Sequence, residues 1–197
     1  MAKSEREKML AGEIYNSRDP ELLELYHLAR QRLAAFHAAE SRDTDGRRAC
    51  LQALLGTLAP GVWVEPPFYC DYGIFIHLGR GTFLNGGCYL LDNNHIHIGA
   101  DCLLGPNVQI YTATHPLPAG ERIVGQAAGR TGEAPYRTYT RPVFIEDRVW
   151  IGGNVVVLPG LRIGRESVVA AGSVVTRDIP PGVVAAGNPC RVIRSLT

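Results

Sequence analysis

The sequence lacks any run approaching the roughly 18 apolar residues that a membrane-spanning helix requires. Its opening residues, MAKSEREKMLAGEIY, carry charges but no apolar core of the secretory-leader kind. No membrane association is therefore expected, and the expected location is cytoplasmic. A charge excess of either sign is also missing. Lys plus Arg number 20 against 19 Asp plus Glu, a formal net charge of +1, so nothing in the balance advertises nucleic acid or an anionic surface as partner. The five cysteines, Cys50, Cys70, Cys88, Cys102 and Cys190, are odd in number and scattered, with no CxxC pair. That pattern fits reduced, mostly buried thiols better than a disulfide framework or a cysteine zinc site. The 197 residues suffice for one domain with a sizeable core.

Residues 1–58 have a helical period. After Asp19-Pro20, the stretch ELLELYHLARQRLAAFHAAE sets Leu22, Leu25, Tyr26, Leu28, Ala29, Leu33 and Phe36 broadly on one face. Asp19 suits an N-cap and Pro20 the first helical turn. A second helix is predicted from Arg47 to Leu58, after a turn over Asp43 to Gly46.

From Val62 the period is neither 3.6 nor 2. In IEDRVW IGGNVV VLPGLR IGRESV VAAGSV VTRDIP an aliphatic residue opens every hexad: Ile145, Ile151, Val157, Ile163, Val169 and Val175. The fifth positions, Val149, Val155, Leu161, Ser167, Ser173 and Ile179, are small or apolar too. Earlier hexads open at Leu78, Leu84 and Leu90, then, after a two-residue slip, at Ile98, Leu104 and Ile110. A repeat of this length marks a solenoid. Three hexads close one triangular coil, and stacked coils align their inward aliphatics into columns. The fold class predicted is mainly β, a parallel β-helix over residues 59–194 behind a small α-helical N-terminal region.

The hexads stop between Thr114 and Val143, where a loop rich in Gly, Pro, Arg and Thr is extruded over 115–142. A long loop within a tight solenoid is characteristically functional, and this one begins with His115. A hydroxyl nucleophile needs a base with a pKa near the working pH, and imidazole is the side chain that meets the need. His95 and His97 flank Ile96 and project from one face of a strand as a metal-ligating pair. No third ligand is evident in the sequence, so no metal is expected. Cys88 and Cys102 lie inside hexads without any nucleophile motif and read as small core residues.

Seven segments, KMLAGEIY, DPELLELY, PPFYCDYG, IHLGRGTFLNGGCYLLD, IGADCLLGPNVQIYTATHP, VWIGGNVVVLPGLRIG and AAGSVVTRDIPPGVVAAGNPCRVIR, resemble the maltose and galactoside O-acetyltransferases and the nearby nodulation acetyltransferases. They follow one another in the family's order from near residue 8 to residue 194. The resemblance implies a left-handed β-helix and transfer of acetyl from acetyl-CoA to a sugar hydroxyl by direct attack, with His115 of YTATHP as base. It places the acceptor near Ser17, Asp71, Phe83, Asn85 and Asn93. It places acetyl-CoA along Gly153, Ala171, Thr176, Arg177, Arg191 and Arg194, with Trp150 walling the acceptor or thiol site. Arginines suit this role because the guanidinium makes forked contacts to phosphate oxygens. It further implies a homotrimer with sites between subunits.

Between His115 and Trp150 the chain carries more residues than maltose-type members usually do, with the excess around 125–139. The choice of acceptor therefore does not carry over from the family. Three rival readings share the frame: an antibiotic O-acetyltransferase, a γ-type carbonic anhydrase with three histidines on zinc, and a non-catalytic trimeric scaffold. The segment KMLAGEIY argues against the first, and the spacing of His95 and His97 departs from the pattern of the second.

Overall fold

In a computed structural model of the protein, which describes residues 2–125 and 132–196, three helices precede a parallel β-helix. Helix α1, Glu5–Leu10, starts in a capping box formed by Ser4 and Glu7. Helix α2, Pro20–Ala38, is capped by Asp19, whose carboxylate accepts from the Glu21 amide at 3.0 Å, with Pro20 in the first turn. Its buried stripe is narrower than predicted, comprising Leu22, Ala29, Leu33 and Phe36. Tyr26 lies outside it, 38% exposed, with the Arg30 guanidinium 4.6 Å over its ring.

Helix α3 corrects the predicted boundaries. It spans Thr44–Leu54 rather than Arg47 to Leu58, because Asp43 accepts from the Gly46 amide at 2.9 Å and makes the supposed turn the helix's first turn. Thr57–Leu58 is already a strand.

From there the chain winds over three faces, each a parallel sheet. The first face stacks strands at Thr57–Leu58, Ile76–Leu78, Ile96–Ile98, Val143–Ile145 and Arg162–Ile163; the second and third faces follow in each coil. Every hexad opener named above is at most 2% exposed, and the openers are register partners across coils. Leu78 pairs with Ile98, Ile98 with Ile145, and Ile145 with Ile163. Leu104 and Ile151 continue the second column, and Ile110 and Val157 the third. The repeat therefore builds one continuous core, to which α2 and α3 add Ala29, Leu33, Phe36, Leu51 and Leu54. Four of the five cysteines are buried in it or beside it, and all five are free thiols.

Corners explain the residues between columns. Before each second-face strand one residue turns left-handed: Gly61, Gly81, Asp101, Arg148, Glu166 and Gly182 all have φ between 57° and 74°. Stacking is so close that a Cβ on Gly152 would lie 2.5 Å from the Ala171 amide nitrogen.

The corner from third to first face is different. Cys70 to Leu78 and Leu90 to Ile98 each run two residues beyond a hexad, which is the slip seen in the sequence. In the next coil the loop leaves the column there, its neck closed by antiparallel pairing of Ala113–Thr114 with Tyr139–Thr140. A second small core of Met9, Tyr15, Leu22, Tyr72 and Phe75 fastens the N-terminal helices to this corner. Asn94 stitches it further, donating to the Leu10 carbonyl at 3.1 Å and to Thr140 Oγ1 at 2.9 Å.

Candidate active site

His115 leaves the corner just after the neck strand and is exposed. Its Nδ1 lies 2.8 Å from the Arg137 carbonyl oxygen. A carbonyl only accepts, so Nδ1 carries the proton and Nε2 presents a lone pair. Thr138 Oγ1 approaches the same Nδ1 at 3.4 Å, and the Tyr136 ring stands edge-on at 5.4 Å. The return limb of the loop thus fixes both tautomer and ring plane, which is what a general base requires.

The same corner gathers polar groups from the preceding coils. Asp71 accepts from the Tyr89 hydroxyl at 3.3 Å and is hydrogen-bonded to Asn93. Burial pushes the Asp71 carboxyl upward in pKa, while the Asn93 and Tyr89 hydrogen bonds and nearby Arg30 pull it down. Asn93 is 7% exposed.

Behind them sits Asp92, fully buried, accepting from the amides of Asp71 and Tyr72 at 2.9 Å each and of Phe75 at 3.4 Å. Sequence reading passed over Asp92. Its signal was the slip itself, because two extra residues in a corner leave backbone N–H groups that something must satisfy.

Ser17 comes to this neighbourhood through Tyr15, whose backbone pairs with Thr138. Asn16, next to Ser17, donates to the Gly132 carbonyl at 2.9 Å and accepts from the Ala134 amide at 3.0 Å. The N-terminal segment and the far limb of the loop thereby form one wall. Of the expected excess over 125–139, residues 126–131 lie outside the described residues.

The other expected residues are not at this corner. Phe83 and Trp150 are register neighbours of Leu103 on the second face, with Asn85 just beyond Phe83. Trp150 and Leu103 are 53% and 51% exposed. In a triangular coil the second face lies opposite the corner between third and first, so one chain does not bring these residues to His115.

Gly153 and Ala171 stack at the next corner, where the Gly172 amide donates to the Gly153 carbonyl at 2.9 Å. Thr176 and Arg177 are exposed after the last third-face strand. Arg191 and Arg194 lie on the terminal antiparallel strand Arg191–Ser195, paired with Val183–Ala186.

On the first face the structure supplies what the sequence did not show. Beside His95 and His97 stands a third imidazole, His77, and ring nitrogens of the three lie within 4.8 Å of one another. His77 occupies the same outward position as His97 one coil earlier. The coil register, once known, would have found it.

Six-residue columns, parallel faces and an extruded histidine loop define the hexapeptide-repeat acyltransferase class. Residues 8–59 match the family model of the maltose acetyltransferase hexapeptide capping motif, and residues 142–177 match that of the bacterial transferase hexapeptide, six repeats. The galactoside O-acetyltransferase of Escherichia coli K12 is 36% identical over 96% of this chain and 88% of its own length. A maltose O-acetyltransferase from Clostridium difficile 630 superposes with a TM-score of 0.91 at 41% identity, with both chains fully covered. A hexapeptide-repeat acetyltransferase from Vibrio cholerae, solved with acetyl coenzyme A, gives 0.86 at 40% identity, covering 99% of this chain and all of its own. The chain belongs to the maltose and galactoside O-acetyltransferase family and is an acetyltransferase.

Proposed function

We propose that the protein acetylates a hydroxyl of a sugar-like acceptor with acetyl-CoA as donor, and that His115 is the general base. The observation that carries the reading is the Nδ1–H bond to the Arg137 carbonyl, which leaves Nε2 as the proton acceptor. In the proposed step Nε2 takes the acceptor's hydroxyl proton, and the alkoxide oxygen attacks the thioester carbon. The tetrahedral intermediate then breaks its C–S bond, and the imidazolium returns the proton to the departing thiolate. The products are an O-acetyl ester and free coenzyme A, with no acyl-enzyme.

Asp71 and Asn93 hold the acceptor's hydroxyl groups, and Ser17 lies at its edge. The wall made by Asn16 with Gly132 and Ala134 limits acceptor size. Phe83, Asn85 and Trp150 reach the reaction from another copy of the chain, because they lie on the face opposite the His115 corner. Acetyl-CoA runs along Gly153 and Ala171, the Gly153 N–H facing the thioester oxygen, toward Thr176, Arg177, Arg191 and Arg194 at the phosphates. The assembly that meets these demands is a cyclic homotrimer of cytoplasmic chains. The capping-motif match over residues 8–59 favours a sugar over an antibiotic acceptor.

A panel of maltose, glucose, galactosides and chloramphenicol-like compounds, followed by thiol release, tests the acceptor class. His115→Ala is expected to lower turnover by roughly two to four orders of magnitude. Near-normal turnover in that variant overturns the assignment.

A further inference from the structure

Three imidazoles meet on the first face, His77 and His97 on its strands and His95 where the corner enters it. His77 and His97 stack with centroids 4.5 Å apart and planes 13° from parallel. His95 lies 5.2 Å from His77 and 5.6 Å from His97. The stack continues with Phe144, 5.1 Å from His97, while Phe75 stands edge-on to His95 at 5.5 Å. β-Register holds His77, His97 and Phe144 in line, and His95 is held by its amide's bond to Asn94 Oδ1 at 2.7 Å. His77 and His97 line an open cleft of ≈ 570 Å³ together with Thr57, Glu146, Asp147 and Arg162.

The hydrogen bonds leave ligating capacity. His77 Nε2 and His95 Nδ1 are 2.9 Å apart and share one proton, and Thr57 Oγ1 lies 3.1 Å from His77 Nδ1. Burial lowers the pKa of all three imidazoles, with the neighbouring rings adding to it at His77 and His97, which favours the neutral form that binds metal. Zinc–nitrogen bonds of roughly 2.0–2.1 Å require the nitrogens to draw closer than they are. Rotation about the soft terminal torsions of His77 and His97 turns stacked edges toward a common point.

We propose that His77, His95 and His97 form a three-imidazole site for a divalent transition-metal ion, zinc foremost, with its open position facing the cleft. Three nitrogen donors with one vacant position suit zinc, and imidazole also suits nickel and copper. Since His77 belongs to one coil and His95 and His97 to the next, the ion would clamp consecutive coils without taking part in acetyl transfer.

The test uses metal-stripped full-length protein titrated with Zn²⁺ by calorimetry, and with Co²⁺ by visible absorption. The expected result is one ion per chain, a tetrahedral Co²⁺ spectrum, and a thermal midpoint raised by Zn²⁺. His97→Gln and His77→Gln, checked for folding by circular dichroism, should each weaken binding at least tenfold, whereas exposed His27→Gln should not. Absence of a stoichiometric ion in the unaltered protein, or equal binding by all three variants, overturns the proposal.

Discussion

At the scale of single residues, site geometry and stability both depend on how polar atoms find partners. Among the described residues, the partners at His115 Nδ1 are the Arg137 carbonyl and Thr138 Oγ1, so in the proposed role the ring is set by a main-chain carbonyl rather than by an acid. Asp92 has the complementary role of holding the corner's backbone. Asp92→Ala leaves the buried amides of Asp71 and Tyr72 without acceptors and should cost about 3 kcal/mol of stability. Thermal or urea unfolding measures it, and a change within experimental error would show that the corner does not depend on this carboxylate. Asp71 and Asn93 were singled out by the family resemblance, whereas Asp92 was not, because no short motif marks a residue whose partners are amides of the previous coil.

At the scale of elements the stacked hexads dominate. Ile151 sits between Leu104 and Val169, fully buried. Truncating Ile151 to Ala opens a cavity that rigid coils cannot close, and about 3 kcal/mol of destabilisation is expected by denaturant titration. The columns were readable because each coil uses the same six-residue step. Residues from Val62 were placed in the β-helix, but the hexads of the first coil were not assigned: Leu58, Val64 and Cys70 obey the six-residue step, and the widened corner before Leu78 disguises the join. Helix α3 was misplaced because Asp43 and Gly46, both common in turns, here form a cap.

The ladder on the first face has a pH consequence. Burial, then the nearby His97 and His95, lower the His77 pKa to about 4, and burial also lowers those of His95 and His97. Thr57, Phe75 and Phe144 touch them directly, and the charged groups that share their cleft are Glu146, Asp147, Arg162 and Arg165. A histidine whose folded pKa is depressed contributes stability above its unfolded value near 6.5 and loses it as pH falls toward the folded value. The unfolding midpoint of metal-free protein should therefore drop between pH 6.5 and 4. His77→Gln should flatten that part of the profile, and an unchanged slope would remove the ladder from the explanation.

At the scale of the whole molecule, a single prism separates the groups that the proposed chemistry must unite. Trp63, Leu103 and Trp150 line the second face, each at least 40% exposed, a stripe that is costly to leave in water. Another copy's His115 corner resting against that face would cover the stripe and complete the site. The sequence revealed this need only through family likeness, since the hexad pattern specifies what points inward and is silent about which outer face meets a neighbour.

Complementation between inactive chains shows whether one site draws on two copies. His115→Ala chains keep an intact second face, and Asn85→Ala/Trp150→Ala chains keep an intact base, so each alone should be nearly inactive. Co-expressed, they should regain a substantial fraction of activity through sites that combine one chain's imidazole with the other's face. Activity of the mixture no greater than the sum of its parts would contradict a site shared between copies.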